Sequence, residues 1–273
     1  MNITTSIETI TPEIAKQYLG TNADNQRNLT KTHMIHLAQQ MNAGQWILNG
    51  EPIIFSNDGR LIDGQHRLSA LVYAKATIQF LVVRGVSPDG FMTIDKGKMR
   101  TNSDIMSIEK IPNSAITASV VAGCLNYRRA RSTNQGQGGS LNSYIRPSST
   151  DLLKEYKMHV DEYQFAALIG GRCRKMTAPS NVGIVAALAH IVAKHDKQEI
   201  AHFWTLFQTG AGLSENDPIL HLRNRLITNG KSSAKLSSNM KIMLMIKAWN
   251  LYAKGKSCGV LRVIDNEPCP EIL

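Results

Sequence analysis

The spacing of apolar and polar residues divides the chain into a first part that carries strands and a second part that is helical. Short apolar runs predict strands at residues 7–10, 52–55, 60–62 and 77–86, and the last run is typical of a buried strand. The polar SNDG segment between the second and third runs predicts a hairpin turn. We expect the three later strands to share one sheet.

Helical patterns alternate with these strands. In TPEIAKQYL, Thr11 is the predicted N-cap, and Pro12 and Glu13 occupy the first turn. Further helices are predicted in LTKTHMIHLAQQMNAGQW, over residues 65–76, and from a capped start at residues 101–104.

The pattern changes after Pro112. One helix, ASVVAGCLNYRRAR, precedes the long polar loop TNQGQGGSLNSYIRPSST, and the later segments are mostly helical. In TDLLKEYKMHVDEYQFAALI the pattern predicts a single helix, and the tail GVLRVIDNEPCPEIL can add one short strand. The fold class is therefore α+β, with a small α/β domain at residues 1–110 and a mainly α-helical domain at residues 111–273.

Charge separates the two parts further. The net charge is +10, of which residues 1–110 contribute +1 and residues 111–273 contribute +9. A basic half beside a neutral half suggests a polyanionic partner, most simply DNA, although a basic surface that serves only solubility is an alternative. The candidate nucleic-acid-binding residues are Arg128, Arg129, Arg131, Arg172, Arg174 and Lys175. For Arg128, Arg129 and Arg131 the alternative is a helix end whose cations complement the helix dipole. For Arg172, Arg174 and Lys175 the alternative is an incidental surface loop.

Other features set limits on the class of protein. The N-terminal segment lacks a basic stretch followed by an apolar one, and the longest apolar run, residues 182–193, is too short to span a bilayer. We therefore expect a cytoplasmic protein without a membrane partner. The four cysteines are far apart, so neither a disulfide framework nor a zinc site is indicated, and no metal site is predicted.

The segment LIDGQHRLSAL, at residues 61–71, places polar residues where a strand turns into a helix. Gly64 allows a tight turn or a close approach to a ligand, and Gln65, His66 and Arg67 occupy the first helical turn. That turn is a ready anion site, and a guanidinium suits phosphate. Asp63 can cap the helix, hold Arg67 or help to place a metal ion. A capped helix whose arginine forms a structural salt bridge is the alternative.

This segment resembles the signature of the ParB/sulfiredoxin-like superfamily, and its Asp-Gly-Gln-His-Arg form is similar to phage and defence-system members. The resemblance covers roughly residues 5–110. It implies a nucleotide or phosphate pocket at this turn, with catalytic Asp63, His66 and Arg67. Gln65 stands near the place of the catalytic cysteine of sulfiredoxin, so peroxiredoxin repair is not expected. The helix-turn-helix of the partition proteins is not evident either, so chromosome partition is not expected.

The resemblance also extends to FMTIDKGKMRT, where relatives carry a segment that closes over the pocket. A solvated basic loop is the alternative there. The nucleotide- or phosphate-binding residues implied by the resemblance are Gly64, Gln65, Arg67, Asp95, Lys96, Lys98 and Arg100.

Three functions follow as expectations. The first is an NTPase that acts with DNA in a phage or defence context and uses a nucleoside triphosphate, with Mg²⁺ held by Asp63 or Asp95. The second is a non-enzymatic regulator or anti-defence factor that uses the same pocket and binds DNA or a protein partner through the helical domain. The third is a DNase, which would need more carboxylates around its metal ions than the sequence offers.

Overall fold

The computed structural model describes residues 2–22, 28–88, 100–132, 141, 147–229, 236–264 and 267–273. The chain divides into two compact units, Met1–Met99 and Arg100–Leu273. We predicted a division after residue 110. The contacts place it earlier because the helix at Asn102–Ile108 packs against the long helix at Ser114–Ser132, in the second unit. The fold is mixed α+β and mostly helical.

The first unit holds one small sheet and three helices. Its elements are β1 (Thr4–Ile10), α1 (Pro12–Leu19), α2 (Lys31–Asn42), β2 (Pro52–Ser56), β3 (Leu61–Asp63), α3 (Gln65–Ala74) and β4 (Ile78–Val86). The strand order is β1-β4-β2-β3, with β2 parallel to β4 and the other pairs antiparallel. The predicted strands therefore share one sheet.

Local signals explain most of these elements. The hydroxyl of Thr11 accepts a hydrogen bond from the Ile14 amide, so the predicted N-cap of α1 is confirmed. The SNDG turn closes with a bond from the Gly59 amide to the Ser56 carbonyl. Thr101 and Asp104 form a capping box at the predicted start of the next helix.

The core of the first unit lies between the sheet and α3. Leu68 and Leu71 of α3 are fully buried together with Ile53, Phe80 and Val82 of the strands. Both α1 and α2 pack against α3, so this helix lies in the middle of the helical layer. The start of α3 is consequently held by packing on several sides.

The second unit is helical and is built around one apolar helix. Its elements are α4 (Asn102–Ile108), α5 (Ser114–Ser132), α6 (Ser149–Met158), α7 (Val160–Arg172), α8 (Pro179–Ile191), α9 (Lys197–Thr209), α10 (Pro218–Asn229) and α11 (Ser238–Ala253). Nearly every residue of α8 is buried, which is expected of a helix that is apolar on all sides. The helices α5, α7, α9 and α11 pack around it.

Two details of the second unit differ from the prediction. The segment predicted as one helix is two, α6 and α7, because His159 leaves the helical region with φ −143° and ψ 47°. The tail forms no strand in its described residues, 259–264 and 267–273. Most of the predicted polar loop lies outside the described residues. In the part of the chain that the structure describes, no helix is long and apolar enough to cross a bilayer.

Candidate functional site at the start of helix α3

The turn from β3 into α3 requires glycine. Gly64 is the N-cap of α3 and has φ +106°, a conformation that side-chain-bearing residues rarely adopt. A Cβ atom at this position would lie 2.5 Å from Cδ1 of Ile53, in the neighbouring strand. The neighbouring strand β2 and the helix start therefore approach each other closely, and the space beside Gly64 is taken by Ile53.

Arg67 points back toward the end of β3. Its Nη2 donates a 2.7 Å hydrogen bond to Oδ2 of Asp63, and its Nη1 lies 3.6 Å from Oε2 of Glu51. The Arg67 side chain is only 13% exposed. The structure thus brings Asp63 and Arg67 together, as one of the predicted roles of Asp63 required. The third member, Glu51, lies in the segment before β2 and carries no local sequence signal.

A guanidinium carries several N–H donors in a planar fork. In the described residues, the bond from Nη2 of Arg67 to Asp63 is the one hydrogen bond that its side chain makes, since 3.6 Å is an ion-pair distance and too long for a hydrogen bond. Arg67 therefore retains donors for a further acceptor while it stays paired with Asp63.

His66 has a structural contact that the sequence did not indicate. Its Nε2 accepts a 2.9 Å hydrogen bond from the amide of Thr30, the N-cap of α2. The ring of His33 lies 5.3 Å from the His66 ring, between centroids. This bond ties the start of α2 to the start of α3. It also uses Nε2 as an acceptor for a backbone amide.

The backbone amides and the helix dipole in the first turn of α3 favour a hydrogen-bond acceptor or an anion there. Gly64 supplies no side-chain cap, and the first intrahelical bond runs from the Leu68 amide to the Gly64 carbonyl. The amides before Leu68 have no carbonyl partner within the helix, and the helix dipole is positive at this end. Gln65 is nearly buried in this turn, 8% exposed.

The remaining predicted pocket residues cannot be placed beside this turn. Asp95, Lys96 and Lys98 lie outside the described residues, as do Phe91 and Ile94 of the same segment. Arg100 is exposed and begins the second unit. Among the described residues, no group of three or more His, Cys, Asp or Glu side chains could hold a metal ion.

Two of the arginines predicted to bind nucleic acid are paired with carboxylates. Nη1 of Arg128 lies 2.9 Å from both oxygens of Glu155, a residue that is 7% exposed. Arg131 lies 3.2 Å from Glu271 and donates a bond to the backbone carbonyl of residue 269. Arg129 is exposed. Arg128 and Arg131 therefore have structural contacts, for which the sequence offered only the helix-end alternative.

The cations at the end of α7 differ from Arg128 and Arg131 in their exposure and in their ion pairing. Arg172, Arg174 and Lys175 are exposed, and the described residues provide no carboxylate partner for them. Between them, Cys173 is buried, and burial raises the pKa of its thiol to about 11 despite the nearby Arg172. The two flanking cations therefore do not activate this cysteine.

The first unit contains a second cluster of polar and aromatic side chains, which the sequence did not indicate. The Arg84 guanidinium donates to both carboxylate oxygens of Glu8 and to the Tyr18 hydroxyl, and it stacks over the rings of Tyr18 and Phe55. These contacts lower the pKa of Glu8 to about 2, mainly through the hydrogen bond from Arg84. The cluster joins residues far apart in sequence, so only the pairing of β1 with β4 reveals it.

A function for this chain has to be argued from the geometry of its own side chains. The side chains at the start of α3 and the exposed cations after α7 are the features that a function has to explain. No protein-family model, no curated protein and no solved structure matches the chain.

Proposed function

We propose that the first unit binds the phosphates of a nucleoside triphosphate at the start of α3 and that the protein is an NTPase acting with DNA. The observation that carries this proposal is the Arg67 side chain, which is held by Asp63 at a helix start without a side-chain cap and, among the described residues, still has unused donors. The resemblance of residues 61–71 to the ParB/sulfiredoxin-like signature supports the same pocket.

Arg67 suits this role because it is already oriented. A long side chain that is fixed before binding loses less conformational entropy when a ligand binds. The bond to Asp63 and the packing of α3 supply that orientation, and the remaining N–H groups can donate two hydrogen bonds to one phosphate.

The carboxylates beside Arg67 affect the charge that a ligand at this site can carry. Asp63 and Glu51 place negative charge next to the guanidinium, and they repel a bare phosphate. A divalent cation removes that repulsion, because Mg²⁺ prefers carboxylate and phosphate oxygens as ligands. We therefore propose that the nucleotide binds as its Mg²⁺ complex, with Asp63 as the residue that faces the metal.

A second candidate function is a regulator that binds nucleotide or DNA without hydrolysis. It is favoured by the contacts of the proposed catalytic groups, since Nε2 of His66 is bonded to the Thr30 amide and Asp63 is bonded to Arg67. In this alternative, the exposed cations Arg172, Arg174 and Lys175 of the helical unit bind DNA phosphates. A DNase is less well supported, because Asp63 pairs with an arginine and Asp95 lies outside the described residues.

Two measurements test the proposal. Calorimetry with each of the four nucleoside triphosphates and Mg²⁺ measures binding, and a phosphate-release assay with and without DNA measures hydrolysis. We expect Arg67→Ala to weaken binding by at least about tenfold, because it removes a charge-assisted hydrogen bond.

Arg60→Ala is the matched control. Arg60 also pairs with an aspartate, Asp58, but it lies in the turn between β2 and β3, at the opposite end of β3 from the first turn of α3. Its substitution should leave binding unchanged. Binding without phosphate release favours the regulator, and equal affinity of wild type and folded Arg67→Ala rejects the pocket.

A further inference from the structure

A second site is present inside the helical unit. A cavity of about 300 Å³ lies among α5, α8 and α11, which is at the lower limit of the volumes of small-molecule pockets. None of the described residues that line it is charged. Its polar lining consists of Ser119, Asn126, Ser180, Asn181, Ser238 and Asn239.

Asn126 presents an acceptor to this cavity. The residue is 9% exposed, and its amide nitrogen donates a 2.9 Å hydrogen bond to the carbonyl of Ala122. A carbonyl can only accept, so this bond fixes the orientation of the amide and leaves Oδ1 as the group that needs a donor. In the described part of the chain, Oδ1 of Asn126 has no hydrogen-bond donor.

The opposite wall carries a donor. Asn181, 2% exposed in the first turn of α8, accepts a 2.7 Å bond from the Ser238 hydroxyl at the first residue of α11. The backbone amides of Asn181 and Met240 at these two helix starts already have partners, the Ala178 carbonyl and the Ser237 hydroxyl. In the described residues the side-chain amide nitrogen of Asn181 makes no hydrogen bond, so it is the donor that this wall offers to a ligand.

The chemistry of the two walls selects a ligand. The side-chain amide nitrogen of Asn181 suits a carbonyl oxygen, whereas Oδ1 of Asn126 requires an N–H group. A bare oxyanion fits poorly, because it would place an acceptor against the Asn126 oxygen. The apolar lining from Ala122, Ile184 and Ile242 suits a flat ring.

We propose that this cavity binds a nucleobase that carries a ring amide, an N–H beside a carbonyl, as in uracil and guanine. The base belongs either to a free nucleoside or to an unpaired nucleotide of a strand. The site lies in the second unit and does not depend on phosphate binding at Arg67.

Calorimetric titration of the full chain with uridine, guanosine, adenosine and cytidine tests this proposal. Uridine and guanosine should bind, and the two nucleosides without a ring amide should bind at least about tenfold more weakly, as expected when a buried hydrogen-bond partner is missing. A uridine trinucleotide distinguishes the sources: binding that is tighter than that of uridine and is lost in Ser119→Trp shows that the site takes a base from a strand, whereas tighter binding that this variant retains comes from phosphate contacts elsewhere.

Variants separate the site from general stability. Asn126→Ala should weaken uridine binding by about tenfold. Asn250→Ala is the matched control, because this asparagine of α11 also bonds to backbone groups, Glu271 and Leu273, but does not line the cavity. It should leave the affinity unchanged.

A further variant covers the case in which Asn126→Ala does not fold. Ser119 is exposed at the cavity, so Ser119→Trp should block uridine without unfolding the protein. The proposal is overturned if no nucleoside binds at millimolar concentration, which would leave a cavity that holds solvent only. It is also overturned if adenosine binds as tightly as uridine or if folded Ser119→Trp binds uridine normally.

Discussion

Oδ2 of Asp63 accepts a 2.7 Å hydrogen bond from Nη2 of Arg67 across the start of α3. The two residues that we assign to phosphate and metal binding are therefore each other's partners in the free protein. Whether this pair is a functional site or a structural salt bridge can be decided by removing the carboxylate alone.

Asp63→Asn should change nucleotide affinity in opposite directions with and without Mg²⁺. Without the metal, binding should strengthen by up to about tenfold, because Arg67 no longer shares its charge with a carboxylate. With Mg²⁺, binding should weaken, because the proposed metal-facing oxygen is lost. Calorimetry in EDTA and in Mg²⁺ measures both effects. A purely structural pair would change stability by about 1 kcal/mol and leave both affinities unaltered.

Gly64→Ala should destabilise the first unit by roughly 3 kcal/mol, the combined cost of a left-handed backbone and of crowding against Ile53. Gly59→Ala is the control, since Gly59 has φ +81° but open space around it. It should cost only roughly 1 kcal/mol, from the backbone alone. Urea denaturation measures both changes. Equal losses in the two variants would show that the approach of β2 to α3 tolerates a Cβ atom.

Glu155→Ala should destabilise the helical unit by roughly 3 kcal/mol, because it leaves the Arg128 charge and the Tyr163 hydroxyl without their acceptor. Burial and the neighbouring Glu155 raise the pKa of Tyr163, so this hydroxyl stays protonated and remains a donor. Arg129→Ala, at an exposed position next to Arg128, should change the free energy of unfolding by less than about 0.5 kcal/mol. Thermal or urea unfolding provides the comparison.

The salt dependence of DNA binding should distinguish the exposed cations after α7 from the paired Arg128. If Arg172, Arg174 and Lys175 contact phosphates, replacing all three by alanine should reduce the slope of log affinity against log salt on duplex DNA by about 3. Arg128→Ala should leave the slope unchanged, since Glu155 already neutralises this guanidinium. Fluorescence anisotropy across salt concentrations measures the slope, and an unchanged slope in the triple variant would assign these cations to another role.

Acid should weaken the first unit through Glu8. Its pKa is lowered from 4.5 to about 2 in the folded state by Arg84, so this carboxylate contributes stability that is complete above pH 4.5. The contribution decreases as the pH falls from 4.5 toward 2. Glu8→Gln should therefore be less stable than wild type at pH 7 and should lose that disadvantage in acid. Unfolding at several pH values, with Arg84→Met and the double variant, isolates the pair; a difference that is constant with pH would contradict it.

Local sequence patterns were sufficient for much of the fold. The Thr11 cap, the SNDG hairpin and the strand-turn-helix at Gly64 each depend on residues within a few positions of one another. Backbone sterics, capping and side-chain periodicity act over that range, so a single sequence shows them. The close association of Asp63 with Arg67 belongs to the same class, because one helical turn separates them.

Tertiary structure decided which polar groups from distant segments meet. Arg128 was a candidate for DNA binding until the packing of α5 against α6 placed Glu155 beside it. The contact of His66 with the Thr30 amide and the junction of Asn181 with Ser238 likewise join distant segments. The free energy of a charge or an amide depends on burial and on the partner that folding supplies, and neither is encoded in the residues next to it. The sequence by itself therefore determined where a phosphate site could form, and the tertiary structure determined which charges remain available to bind a ligand.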